Sequence, residues 1–165
     1  PAAQTPFLAG YVELHAIWRA IGTIAKTGSG AAKELAVAKE SLAKLRGSGL
    51  EIWLAVADAL EANLDYLRGE RETALQRLEE SEQTFRRLHM LCLAACARKR
   101  RGQFMRAELG ARLQLEADTQ LQQLGIVDVE RWSQAYWSVF EADAAQLLTY
   151  VSDRESLDSS SSDGF

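Results

Sequence analysis

The chain has only two prolines in 165 residues, Pro1 and Pro6, so from residue 7 onward no ring interrupts a run of helices. It has two cysteines, Cys92 and Cys96, too few for a disulfide framework, and their one-turn spacing sets both thiols on one helix face. That usage indicates a reducing compartment, and a cytoplasmic location is the expectation. Long apolar runs are missing: the longest, "MLCLAACA", falls well short of the roughly 20 residues of a membrane helix. The N-terminus has neither the basic flank nor the long apolar stretch of a secretory signal. Positive charge is in deficit as well. A net charge of −4 and a pI near 5.3 argue against a phosphate backbone as the main partner. The chain also lacks a starting methionine, which points to excision from a longer polypeptide.

What is present is helical rhythm. Apolar residues recur at three- and four-residue steps almost throughout, and no stretch alternates as a strand would. Glycines divide the pattern into segments at about 6–26, 31–46, 50–68, 70–89, 91–101, 104–124 and 128–151. Breaks this short make consecutive helices antiparallel neighbours. The expected fold is all-α, in one domain over residues 1–151. The acidic, serine-rich tail, residues 152–165, has too little apolar area to offset ordering entropy and is expected to be disordered.

Two segments match at an offset of forty: "KELAVAKESLAKL" begins at Lys33 and "TALQRLEESEQTF" at Thr73, pairing Leu35 with Leu75, Ser41 with Ser81 and Leu45 with Phe85. A third follows at an offset of 36, pairing Ser81 with Ala117 and Phe85 with Leu121. Such spacing is that of a helical repeat array. The clearest unit, "ADALEANLDYLRGERETALQRLEESEQTF", resembles a tetratricopeptide repeat, with small Ala62, Ala74 and Ser81 at helix crossings and turn residue Gly69. Asp58, Glu61 and Asp65 stand where that family has tryptophan, leucine and tyrosine, and no proline closes the unit. The resemblance implies antiparallel hairpins stacked as an array. Trp132, Tyr136 and Phe140, four residues apart on the last segment, would close it as a C-terminal capping helix.

Downstream, "LAACARKRRGQFMRAELGARLQLEADTQLQQLGIVDVERW" resembles the C-terminal repeat region of large bacterial signalling proteins that join a serine/threonine kinase, an ATPase and tetratricopeptide-like repeats. The matching features are Gly102 as a turn glycine, a break near Gly110, the helix at Glu116 to Asp118 and a stop at Gln123 to Ile126. The resemblance covers residues 60–128 and implies a kinase-associated module in signal transduction. The fragment itself carries no kinase glycine loop, lysine strand or catalytic loop, so no enzyme activity is expected of it.

Three stretches invite a chemical reading. "AKTGSGAAK" lacks a lysine directly after its last glycine and has a helix rather than a strand before it, so it reads as a turn and not a phosphate loop. His89, Cys92 and Cys96 fall at i, i+3 and i+7, one helix face, yet zinc needs further ligands and the other histidine, His15, lies several helices away. No metal and no cofactor is therefore expected, with a redox or metal sensor as the lesser alternative. The bases Arg98, Lys99, Arg100, Arg101 and Arg106 complement a helix C-terminus or, alternatively, receive an acidic partner. No aromatic residue alternates with the bases, which together with the negative net charge disfavours nucleic acid.

In tetratricopeptide-like arrays the first helix of each hairpin lines a concave groove. Counting back 3, 6, 10 and 13 residues from Gly69 gives Tyr66, Asn63, Ala59 and Val56; from Gly28 it gives Ala25, Gly22, Trp18 and His15; from Gly102 it gives Lys99, Cys96, Cys92 and His89. These are the candidate groove residues, with Trp18 and Tyr66 as anchors for a peptide. The lysine and asparagine clamp for C-terminal carboxylates is not reproduced, since Ala59 stands at the lysine's place. The expected function is a noncatalytic protein-interaction module. The alternatives are a self-associating structural module, dimerising through Trp18, Trp53 or Trp137, and simple packing of the same residues against neighbouring helices.

Overall fold

The computed structural model describes residues 10, 17, 31–67, 69–105 and 107–137, which include six α-helices in chain order. They are α1 (Ala31–Gly47), α2 (Glu51–Leu67), α3 (Arg71–Arg87), α4 (Leu91–Phe104), α5 (Ala107–Gln123) and α6 (Val129–Trp137). No strand occurs among the described residues, and none of their helices is long and apolar enough to cross a membrane. The broad interfaces join sequence neighbours: α2 with α3, α3 with α4, and α4 with α5. α1 meets α2 over fewer residues, and α6 makes narrower contacts with α4 and α5.

Three of the reversals share one backbone device. After α2, α3 and α5 a residue takes a positive φ: Gly69 at 83°, His89 at 58° and Gly125 at 88°. The next amide then donates back to a carbonyl five residues earlier, from Glu70 to Asp65 at 2.9 Å, Met90 to Phe85 at 2.8 Å and Ile126 to Leu121 at 3.1 Å. This is the Schellman closure, which satisfies carbonyls a helix end would otherwise leave unpaired. At the second reversal a histidine occupies the position that favours glycine, at a conformational penalty of about 1–2 kcal/mol. Histidine is one of the few side chains that visits this region with any frequency. The helix expected over 70–89 therefore stops at Arg87, and His89 is an exposed turn residue.

Gly102 is not a turn residue, contrary to the expectation from sequence. It lies inside α4, and the chain leaves the helix at Met105, whose φ of −84° and ψ of 149° are extended. Its role is close approach: a Cβ there would lie 2.7 Å from the Gly110 carbonyl oxygen. Reciprocally, a Cβ on Gly110 would lie 2.6 Å from the Gly102 oxygen and 2.7 Å from the Met105 oxygen. The two glycines let the α4 and α5 backbones touch.

α2 and α4 are buried nearly all round, whereas α3 and α5 expose one face. Alanines at the crossings, among them Ala57, Ala59, Ala62, Ala74, Ala94, Ala95, Ala97 and Ala117, are almost inaccessible. The larger core side chains Leu78, Phe85 and Leu121 are fully buried, each contributing roughly 1.5–3 kcal/mol. Ser81 Oγ donates to the Ala55 carbonyl at 3.0 Å, tying α3 to α2 without a bulky side chain between them. Gly10 lies against the Trp53 indole, and Ile17 joins the core.

Candidate functional site

Of the candidate groove residues, His15, Trp18 and Gly22 lie outside the described residues, as does Arg106 of the basic run. The tail from residue 138, Phe140 included, and the side chains of Tyr136 and Trp137 lie outside them too. On α2, Val56 and Ala59 are buried in the core, 6% and 0% exposed, so they support packing and offer little to a ligand. Asn63 is buried as well. Its Nδ2 donates to the Ala59 and Leu60 carbonyls at 3.0 and 3.2 Å, while its Oδ1 has no hydrogen-bond partner among the described residues. Tyr66 is half-buried and stacks on Phe104 of α4, ring centroids 3.9 Å apart and nearly parallel. That stack brings the ends of α2 and α4 together.

On α4, Cys92 is half-buried and Cys96 buried, both in the thiol form. His89 does not share their helix face, because the backbone reverses at it. Among the described residues no group of three or more His, Cys, Asp or Glu side chains is placed to hold a metal ion. Cys96 Sγ lies 4.0 Å from Ser133 Oγ of α6, a contact that seats α6 on this stretch of α4.

The basic run is held by neighbouring helices. Arg98 Nη2 lies 2.5 Å from Glu82 of α3, and its Nη1 lies 3.8 Å from Glu116 of α5. Arg101 meets Glu79 at 3.1 Å and Glu82 at 3.3 Å. The Lys99 amine lies 3.0 Å from Asp118 of α5 and 2.7 Å from Glu130 of α6. Arg100 is buried, with its guanidinium 5.8 Å from the centre of the Phe104 ring. Glu82 is the hub, only 6% exposed at its side chain and also bridged by Arg86 at 3.1 Å. Burial lowers the affinity of Lys99 for its proton, but the hydrogen bonds from Glu130 and Asp118 outweigh that and hold its pKa above the ordinary value.

A second network lies between α1, α2 and α3. Arg46 of α1 pairs with Asp58 at 2.5 Å and with Glu61, both on α2. Arg77 of α3 reaches Asp65 at 2.7 Å, Glu61 at 3.4 Å and Asp58 at 3.5 Å. These three acids are the residues that depart from the tetratricopeptide pattern. Carboxylates at i, i+3 and i+7 face arginines from both flanking helices, so ion pairs stand where that family uses large apolar side chains. Sequence reasoning marked the acids but missed their partners. The available signal was a matched base, Arg46 and Arg77, in each adjoining helix. Burial pushes the Asp65 carboxyl above its usual pKa, with Arg77 only partly offsetting it.

An open cleft of about 420 Å³ lies along α5, lined by Leu115, Glu116, Thr119, Gln120 and Gln123, with Arg98 at its side. Leu115 is 68% exposed there. The chain matches no family model, no curated protein and no solved structure.

Proposed function

We propose that this chain is a noncatalytic protein-interaction module built of tetratricopeptide-like helical hairpins. The observation that carries this reading is the alternation of helix types at a spacing of 36 to 40 residues. The enclosed helices α2 and α4 begin at Glu51 and Leu91, 40 residues apart; the amphipathic α3 and α5 begin at Arg71 and Ala107, 36 apart. Enclosed first helices and half-exposed second helices are the division of labour of a stacked hairpin array, in which each hairpin buries its apolar face on the next. In this reading α6 opens the closing element of the stack. The binding surface centres on the half-buried Tyr66, with Asn63, whose Oδ1 has no hydrogen-bond partner among the described residues, one turn before it on α2.

Probing an array of helical and extended peptides with the folded chain tests the reading. Saturable binding at a Kd of ~100 μM or tighter is expected, with loss on Tyr66→Ala and none on Gln83→Ala at the exposed face of α3. A folded chain that binds no peptide, or binds all of them unchanged after Tyr66→Ala, refutes it. The resemblance over residues 60–128 supports a wider proposal, that the module is the C-terminal repeat region of a cytoplasmic bacterial signalling kinase or ATPase. Kinase and ATPase motifs in the gene upstream of the Pro1 codon are the expected finding, and a start codon adjoining it would remove that proposal.

A further inference from the structure

The turn from α5 to α6 repeats the turn from α3 to α4. His89 and Gly125, both at positive φ, stand 36 residues apart, and the closing bonds from Met90 N to the Phe85 carbonyl and from Ile126 N to the Leu121 carbonyl keep that offset. The first turn of each following helix is closed alike, Ala94 N donating to the Met90 carbonyl and Trp132 N to the Asp128 carbonyl, both at 3.0 Å; the offset here is 38, because the second link is two residues longer. α4 has 14 residues and α6 nine, so α6 as described corresponds to Leu91 through Lys99. The counterpart of the rest of α4, Arg100 through Phe104, is residues 138–142, outside the described residues. That last part of α4 lies on the first half of α3: Arg101 meets Glu79 at 3.1 Å, and the Phe104 carbonyl accepts from Arg71 Nε at 2.9 Å. On α5 the counterparts of Leu75 and Glu79 are Ala111 and Leu115, and both are exposed, Leu115 by 68%. The counterpart of Arg101 is Val139.

We propose that residues 138–142 prolong α6 along α5 and that Val139 covers Leu115, which makes α6 the first helix of a further hairpin. The chain's own segment is the occupant because both members of the contact change together: the ion pair of Glu79 with Arg101 becomes an apolar pair of Leu115 with Val139. A partner from outside would account for the leucine alone. Reach is no obstacle, since Val139 lies two residues beyond Trp137 and 28 residues follow that tryptophan. The contact also widens an interface that the described turns of α6 make only narrowly, and it removes an exposed leucine from water. The inference rests on the array reading and narrows the surface left to a ligand, since this face of α5 is then occupied and Tyr66 on α2 is not.

Disulfide trapping tests this in the full chain. With Cys92→Ser and Cys96→Ala removing the native thiols, Leu115→Cys combined with Val139→Cys is expected to close within one chain under oxidised glutathione roughly tenfold faster than Leu115→Cys combined with Ser160→Cys, which lies beyond the matched stretch. Melting temperature gives a second readout without introduced thiols: Leu115→Asp should lower Tm by about 3 °C in the wild-type chain and by nothing further in a Val139→Asp background. Equal trapping rates, a Leu115→Cys disulfide formed between two chains, or an unchanged Tm in Leu115→Asp overturns the proposal, the second of these in favour of another copy of the chain as occupant. If it falls while peptides still bind and depend on Tyr66, the interaction module stands and only the placement of residues 138–142 is lost.

Discussion

Replacing Gly102 by alanine will force α4 and α5 apart. The added methyl would sit 2.7 Å from the Gly110 oxygen and 3.1 Å from Gln114 N, both backbone atoms, and 2.9 Å from Gln114 Cγ. Ordinary contacts of this kind begin at 3.4 Å, so the two backbones must separate by roughly 0.7 Å in a close-packed interface. Overpacking of this sort costs about 1–3 kcal/mol, and the better helix propensity of alanine returns at most about 1 kcal/mol near a helix end. The net expectation is a loss of about 1–2 kcal/mol, or roughly 2–4 °C in Tm for each kcal/mol at this chain length. Urea denaturation followed by circular dichroism measures it. Gly110→Ala should behave alike, and the double variant should lose less than the sum, since the first methyl has already opened the gap. Gly47→Ala is the control: nothing lies within 4 Å of its added carbon, so stability should hold or rise. A Gly102→Ala protein as stable as wild type would refute the backbone contact.

Glu82→Ala leaves three arginines around a buried vacancy and should cost about 3 kcal/mol in urea unfolding, whereas Glu80→Ala on the exposed face should change stability by less than about 0.5 kcal/mol. His89→Gly should raise stability by about 1 kcal/mol in a thermal melt, because glycine adopts the positive φ without strain. Lys99 holds its proton more tightly folded than unfolded, so its contribution is full below its ordinary 10.5 and is lost as pH rises through the folded value; Lys99→Met should flatten that alkaline loss of stability in a pH series. Asp65 likewise binds its proton more tightly folded, which for an acid favours folding below 3.8 and loses that advantage as pH rises through the folded value. The difference in unfolding free energy between wild type and Asp65→Asn should therefore shift in favour of the variant from about pH 3.8 upward, and a constant difference would sink the argument.

The helical class and most element positions were legible because glycine and apolar spacing act locally: the reversals at Gly69 and Gly125 fall where the sequence put them. Gly102 misled because glycine has two uses, a left-handed turn and a close helix crossing, and the second depends on Gly110 in another helix. His89 misled in the opposite sense, as a turn made without glycine. Counting back from Gly102 then gave His89 a helix face that it does not have. Val56 and Ala59 could not be told from core residues, since a groove floor and a helix interface draw on the same apolar types. The basic run was visible, but Glu79, Glu82, Glu116, Asp118 and Glu130 come from three other helices, and nothing in local spacing announces which acids will meet which bases.

The ion pairs have a consequence for how the chain finds one arrangement. Interfaces made of alanine look alike from one turn to the next, and a helix sliding by one turn, about 5.4 Å, would exchange one alanine contact for another at small loss. The same slide would draw Arg77 off Asp65 and Arg98 off Glu82, stranding carboxylates that are 4% and 6% exposed. An unpaired buried charge is far dearer than a displaced methyl. The charges thus act as notches on otherwise smooth rails: alanine lets neighbouring helices come close, and the matched acids and bases determine where along their length they stop.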